Sequence, residues 1–133
     1  PLSSVPVPDA IGWVGEATLD WAGGAVVFRP AAGQGLAAAL LAGQPCALRR
    51  RGGGERMRLH PAGPSRSLKN LLQEAGVPSW LRDELPLLWV GDQLAWIAGV
   101  GVAAQFACPA GAAGWVPVWS GWPGEPEVEQ VRV

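Results

Sequence analysis

Cationic side chains are concentrated in one short stretch of the chain, residues 49–69. This stretch carries six arginines and one lysine against a single acid, Glu55, so its formal charge is +6. Residues 1–48 carry −2 and residues 70–133 carry −5, which is why the whole chain of 133 residues is only −1. Guanidinium and ammonium groups bind phosphate oxygens, so this stretch indicates that the partner is a polyanion.

Two local features of the basic stretch suit a phosphate ligand. Residues 52–54 are three glycines, which allow a backbone to approach a ligand closely. Ser67 stands where a helix is predicted to begin, so helix N–H groups and the cations beside it converge there. The residues predicted to bind phosphate are Arg49, Arg51, Arg56, Arg58, Arg66, Ser67 and Lys69.

Other interpretations of the same residues stay open. Arginines along a strand edge also form a solvated border that discourages pairing with another chain. Ser67 also fits an ordinary helix cap, and the three glycines fit an ordinary hairpin loop. Arg82 fits a structural partner of an acid such as Glu74 or Asp83.

The composition gives little support to catalysis by the chain itself. His60 is the single histidine, and the two cysteines, Cys46 and Cys108, belong to no C-x-x-C motif or Cys/His cluster. Neither a metal site nor a redox pair is predicted, and both thiols are expected to be buried. The sequence also has no apolar run of about 18 residues and no signal peptide, so we expect a cytoplasmic, single-domain chain with no membrane partner.

Short apolar or alternating stretches predict the strands that must position the basic residues. Two pairs of them are expected to form hairpins, around residues 20–24 and around Gly91 and Asp92. Alternation also sends Arg49 and Arg51 to the same face of their strand. The predicted strands are residues 13–19, 25–28, 46–51, 87–90, 94–98 and 100–106, with an edge strand within 107–133.

One helix has the clearest apolar pattern in the chain. Its stripe recurs at i, i+3, i+4 and i+7, with Ser65 or Ser67 as the cap and Gly76 at the end. This stripe is Leu68, Leu71, Leu72 and Ala75. Since the helix begins where the last cations fall, one continuous basic face is expected from Arg51, Arg56, Arg58, Arg66 and Lys69.

Two shorter helices and the placement of the tryptophans complete the predicted organisation. The first helix lies within 36–42, through Leu36, Ala39 and Leu40, and the second covers 78–85. Six tryptophans fall in or after these elements. Trp80, Trp89 and Trp96 are expected in the core, whereas for Trp115, Trp119 and Trp122 both burial and an exposed contact patch stay open.

Residues 51–106 resemble the C-terminal domain of bacterial tRNA(Ile)-lysidine synthetases. The similarity lies first in Arg51 and Arg56 around the glycines, then in Pro61-x-Gly63. It is densest in S-L-K-x-L-x-Q-E-A-G-V-P-x-W-x-R over residues 67–82, and it continues in P-L-L-x-x-G-D-x-L over residues 86–94 and A-G-x-x-V over residues 98–102. One departure is Asn70, where helices of this family often carry a second lysine after Lys69.

The resemblance implies an α+β fold of packed antiparallel or mixed β layers with two or three short helices, the PheT/TilS-like arrangement. It implies a linker from an absent upstream domain at residues 1–10, the tRNA-binding domain at 11–108 and a Trp/Gly/Pro-rich extension at 109–133. The chain opens on Pro1 without a methionine, which fits either removal of the initiator or, as the resemblance implies, a fragment of a longer protein.

The resemblance also implies a role for the fragment. It is expected to bind the acceptor stem of the minor isoleucine tRNA, while the rest of the synthetase converts the wobble cytidine to lysidine with ATP, Mg²⁺ and lysine. The family's Ser-Gly-Gly-x-Asp-Ser loop does not occur in this sequence, so the fragment is expected to be inactive alone and to hold no cofactor itself. The alternative is a protein–protein or interdomain module without direct RNA contact.

Overall fold

The computed structural model describes residues 10–123 and shows a fold made mainly of antiparallel β-strands. Short apolar segments separated by glycine-rich turns favour strands that reverse direction often. The strands are β1 (Ala10–Trp13), β2 (Thr18–Trp21), β3 (Gly24–Ala32), β4 (Leu36–Ala37), β5 (Cys46–Arg49), β6 (Arg56–Met57), β7 (Arg66–Ser67), β8 (Leu87–Val90), β9 (Gln93–Ile97), β10 (Gly101–Val102) and β11 (Ala113–Trp119). The helices are α1 (Ala38–Leu41) and α2 (Leu68–Glu74).

The larger sheet has the strand order β1-β5-β8-β9-β10 and is antiparallel throughout. The alternation predicted for residues 46–51 is seen in β5, where Cys46 and Leu48 are buried and Arg49 is exposed. The predicted hairpin of β8 and β9 is also present, with Val90 opposite Gln93. Every residue of β9 after Gln93 is buried, so this strand is covered on both faces.

The second sheet has the order β2-β3-β11-β4, and aromatic side chains join it to the first. The rings of Trp13 in β1 and Phe28 in β3 stack with centroids 4.2 Å apart. Trp115 in β11 meets Trp13 edge to face at 5.5 Å. Such pairs add geometric preference to the burial of large apolar surfaces. The two sheets therefore share one hydrophobic core.

Helix α2 follows the short ribbon of β6 and β7. Leu68, Leu71 and Leu72 are buried as predicted, and the Oγ of Ser67 accepts a hydrogen bond from the Asn70 N–H at 3.2 Å. Ser67 is therefore the N-cap. Ala75 was wrongly placed in the stripe: the helix ends at Glu74, and Ala75 is exposed beyond the last turn.

Several predicted strand boundaries and positions are wrong. Residues 13–19 are not one strand, because the chain leaves the first sheet after Trp13 and enters the second at Thr18. Residues 104–106 form a 3₁₀ turn rather than a continuation of β10. The predicted edge strand is β11, which lies inside its sheet between β3 and β4.

The first predicted helix and the placement of Trp80 also need correction. Leu36 belongs to β4, and the buried leucine of α1 is Leu41, while Leu40 is 47% exposed. Residues 79–81 form a 3₁₀ helix that leaves Trp80 64% exposed, so its placement in the core was wrong. Trp96 and Trp119 are buried, whereas Trp89, Trp115 and Trp122 are half-buried.

The two cysteines differ in burial, and the described helices are short. Cys46 is buried as expected, Cys108 is only half-buried, and both are free thiols. Within residues 10–123, no helix has the length and apolar character that crossing a bilayer requires. Residues 1–9 of the predicted linker and residues 124–133 of the predicted extension lie outside the described part of the chain.

Candidate nucleic-acid interface

A surface groove of about 390 Å³ lies where the end of β5, the glycine loop, the β6–β7 ribbon and the start of α2 meet. We call it the glycine-loop groove. Three cationic side chains and two acidic ones line it, together with backbone of the loop. Its lining residues are Arg51, Gly52, Gly53, Gly54, Glu55, Arg56, Ser67, Leu68, Lys69 and Asp83.

Glu55 organises the glycine loop from within. Its carboxylate accepts hydrogen bonds from the N–H groups of Gly52 and Gly53, the latter at 2.9 Å. Gly53 and Gly54 have φ angles of +112° and +81°, which favour glycine over residues with a side chain. The carbonyl of Glu55 also accepts from the Leu68 N–H at 2.9 Å, so the loop is tied directly to the start of α2.

Arg51 and Arg56 are held by neighbours at the edge of the groove. The Nε of Arg51 lies 2.8 Å from Oδ1 of Asp83, an ion pair in which Asp83 is 73% exposed. Arg56 donates from Nη2 to the Ser65 carbonyl at 2.7 Å and from Nε to the Ser65 Oγ at 3.3 Å. Each guanidinium has five N–H donors, so these contacts orient the groups and leave donors for a ligand.

Lys69 is the least constrained cation of the groove. It is exposed, and within residues 10–123 its ammonium group has no hydrogen-bond or ion-pair partner. A mobile ammonium on a long stem keeps its hydration until a phosphate approaches. Lys69 is therefore the side chain of this groove that is most available to a ligand.

The start of α2 offers fewer free donors than the sequence suggests. The Leu68 N–H already donates to Glu55, and the Asn70 N–H donates to the Ser67 side chain. The helix is also only seven residues long. Ser67 consequently acts on the groove by ending the ribbon and capping the helix, which places Lys69 at the rim.

Arg66 does not share a face with the other cations, and this part of the predicted continuous basic face is wrong. In the ribbon, Arg56 pairs with Ser67, and Arg66 pairs with Met57. Cross-strand partners point to the same side of a ladder, so Arg66 lies with the buried Met57, opposite Arg56. Its guanidinium binds both carboxylate oxygens of Glu74, at 2.7 and 2.9 Å.

Arg49, Arg58 and Arg82 also lie outside the lining of the groove. The guanidinium of Arg49 sits over the ring of Trp89, 5.6 Å from its centroid, a cation–π contact. The carbonyl of Arg58 accepts from the Ala104 N–H at 2.8 Å. Arg82 donates from Nε to the Val77 carbonyl at 3.0 Å, whereas Glu74 and Asp83 pair with Arg66 and Arg51.

Of the seven residues predicted to bind phosphate, the fold thus brings four to one groove: Arg51, Arg56, Ser67 and Lys69. Sequence reasoning missed two acidic residues of the same groove. Glu55 had a local signal, because a carboxylate just after three glycines can accept from their N–H groups. Asp83 had none, since it is 32 residues away from Arg51 along the chain. With both acids counted, the charge of the lining is +1.

Two antiparallel sheets, short helices and a cationic surface groove define a small α+β domain. A sequence profile of the family described as "TilS substrate C-terminal domain" matches residues 46–119, more than half of the chain. The chain therefore belongs to the TilS substrate C-terminal domain family, and both the resemblance and the α+β fold class predicted from the sequence are confirmed.

Individual relatives agree with this assignment. The chain is 50% identical over 107 residues to the tRNA(Ile)-lysidine synthase of Azoarcus sp. (strain BH72), covering 80% of this chain and 23% of that protein. It is 40% identical over 122 residues to the tRNA(Ile)-lysidine synthase of Nitrosomonas europaea, covering 90% of this chain and 27% of that protein. The chain thus spans about a quarter of the length of these relatives.

A solved structure has the same fold. The structure titled "Crystal structure of TILS C-terminal domain" superposes with a TM-score of 0.66 over 87% of this chain and all of that chain. The sequences are 22% identical in this comparison, so the match concerns the arrangement of strands and helices.

Proposed function

We propose that this chain is the C-terminal part of a tRNA(Ile)-lysidine synthase and that its glycine-loop groove binds phosphates of the acceptor stem of the minor isoleucine tRNA. The relatives named above supply the first half of the proposal. The single observation that carries the second half is the convergence of Arg51, Arg56 and Lys69 on one groove beside a glycine loop.

The charges of the groove suit a phosphate backbone better than a single small anion. Arg51 lies in the loop after β5, Arg56 in β6 and Lys69 in α2, so the groove offers three separate cationic side chains. A duplex backbone presents phosphates at regular short intervals, and affinity rises with each one neutralised. In this proposal the fragment positions the tRNA, and the catalytic domain of the parent protein in the cytoplasm uses ATP, Mg²⁺ and lysine.

Alanine substitutions in the synthase that contains this chain test the proposal. Lys69→Ala and Arg56→Ala should each weaken tRNA binding and leave ATP binding unchanged. Each should also reduce the slope of log K against log salt by about one, because one phosphate contact is lost. Arg29→Ala is the matched control: Arg29 is an exposed cation of β3 and lies outside the groove lining.

Reversing two charges of the groove is the strictest test of whether it contacts the RNA. If the double variant Arg56→Glu, Lys69→Glu binds tRNA as the unmodified synthase does, the groove does not contact the RNA. The alternative of an interdomain module then gains support, particularly where the same variant weakens the association of this domain with the rest of the synthase.

A further inference from the structure

Trp80 stands apart from the other tryptophans of the chain. Its side chain is 64% exposed, whereas the other seven are buried or half-buried. One exposed apolar residue is common on protein surfaces and is not informative by itself. The position of Trp80 relative to the glycine-loop groove is what gives its exposure meaning.

Trp80 lies in a run of tight turns that also carries Asp83, a lining residue of the groove. The Leu81 N–H donates to the Pro78 carbonyl at 3.0 Å, and the Arg82 N–H donates to the Ser79 carbonyl at 3.3 Å. The 3₁₀ helix itself covers Ser79–Leu81, and Asp83 follows its last residue by two positions. Since three residues span at most about 11 Å, Trp80 lies near the part of the groove that Asp83 lines.

The segment that carries Trp80 is fixed to the core on its other side. Leu81 and Leu85 are buried, and Trp21 of β2 donates from Nε1 to the Glu84 carbonyl at 2.8 Å. The Nε of Arg82 donates a hydrogen bond to the Val77 carbonyl at 3.0 Å. The backbone that carries Trp80 is thus anchored to the core, so this segment need not be ordered when a ligand stacks on the indole.

We infer that Trp80 is a stacking surface for an unpaired nucleotide base whose neighbouring phosphates lie in the glycine-loop groove. This inference rests on the proposed function and names the part of the RNA that is involved. A paired base hides its faces within the duplex, whereas an unpaired base at the end of an acceptor stem exposes a π face. Aromatic side chains beside a cationic groove are the usual means of holding such bases.

The test compares two tRNAs, one intact and one lacking its unpaired 3′-terminal nucleotides, on the synthase that contains this chain. The unmodified protein should bind the intact tRNA about tenfold more tightly, the order expected for one base–aromatic stack. Trp80→Ala and Trp80→Leu should bind both tRNAs alike, because leucine keeps apolar bulk but has no ring. Trp80→Phe should keep most of the preference.

Four outcomes are informative. If Trp80→Ala still binds the intact tRNA tenfold more tightly, the stacking role is wrong. The stacking role is also wrong if Trp80→Ala weakens the binding of both tRNAs equally, and that result indicates contact with another domain of the synthase. If Lys69→Ala and Arg56→Ala weaken the binding of both tRNAs while Trp80→Ala changes neither affinity, only the stacking inference fails. If neither groove variant weakens binding, the proposed function itself fails. Because Trp80 is exposed, unchanged unfolding temperatures verify that its variants are folded.

Discussion

Arg66 in β7 and Glu74 at the end of α2 form a two-point ion pair, with Nη1–Oε1 at 2.7 Å and Nη2–Oε2 at 2.9 Å. The hydrogen bonds from Arg66, assisted by its charge, hold the pKa of Glu74 below its ordinary value. This pair joins the first and last residues of the β7–α2 segment.

The pair predicts a specific dependence of stability on pH. Because folding lowers the pKa of Glu74, its contribution to stability is present at neutral pH and is lost as the pH falls below about 4.3 through the folded-state pKa. Glu74→Gln should therefore lose less thermal stability than the unmodified chain between about pH 7 and pH 3.5. The effect is small and salt-sensitive, since both groups are exposed to solvent.

The control for this prediction is the partner. Arg66→Ala and the double variant should show the same reduced pH dependence as Glu74→Gln, because each removes the same interaction. The measurement is the unfolding temperature of each variant by circular dichroism at about pH 7 and about pH 3.5. Equal pH dependence in Glu74→Gln and the unmodified chain contradicts the role of the pair.

The α2 stripe predicts a large cost for truncating a buried leucine. Leu71 is 2% exposed and lies in the shared core, so Leu71→Ala should lower the free energy of unfolding by about 2–5 kcal/mol. Leu40→Ala is the matched control, because Leu40 also lies in a helix but is half exposed. Its free energy of unfolding should fall by much less than that range. Urea unfolding measures both, and similar losses at the two positions speak against the assigned core.

Glu55 predicts a gain of RNA affinity. Its carboxylate lines the groove, and Glu55→Gln removes the negative charge while keeping one of the two oxygens that accept from the loop N–H groups. Affinity for tRNA should rise several-fold at low salt, since one charge at about 4 Å in water is worth about 1 kcal/mol. Asp92→Asn makes the same change of charge in the exposed β8–β9 turn, outside the groove lining, and should have little effect. Filter binding at two salt concentrations tests this, and a loss of affinity in Glu55→Gln means that loop order outweighs charge.

Two glycines with the same backbone conformation predict different costs. Gly35 and Gly43 have φ of +73° and +74°, so alanine is strained at both by about 1–2 kcal/mol. At Gly43 an added Cβ meets no atom within 4 Å, whereas at Gly35 it would lie 2.1 Å from the Trp115 carbonyl oxygen. Gly35→Ala should therefore destabilise the chain markedly more than Gly43→Ala, because β4 must separate from β11. Equal unfolding free energies would show that this close approach is absent in solution.

Local patterns in the sequence predict the elements whose determinants are local. Helix α2 and the β8–β9 hairpin have their apolar spacing, cap and turn residues within about ten positions, and both are found where predicted. Residues 13–19 were predicted as one strand, although Gly15 and Glu16 interrupt the apolar run where the chain changes sheet, and Gly15 has a φ of +102°.

The candidate site depends more on distant contacts, and the sequence predicts less of it. The arginine-rich composition indicates a cationic groove, but only the pairing of β6 with β7 decides that Arg56 faces it and Arg66 does not. The acid that binds Arg51 comes from residue 83, which no pattern near Arg51 announces. The exposure of Trp80 is also not predictable from local sequence, because apolar character alone does not show which side of a 3₁₀ turn meets solvent.

The position of β11 within its sheet has a consequence for the order in which the chain folds. This strand pairs with β3 along seven residues, from Ala113 opposite Ala32 to Trp119 opposite Val26, and with β4 on its other side. On the ribosome, β3 and β4 emerge roughly eighty residues before the strand that separates them. Until it arrives, both have open edges that invite association with other chains. Completion of the second sheet thus requires a long loop to close, and we expect chaperone protection to matter at these open edges until it does.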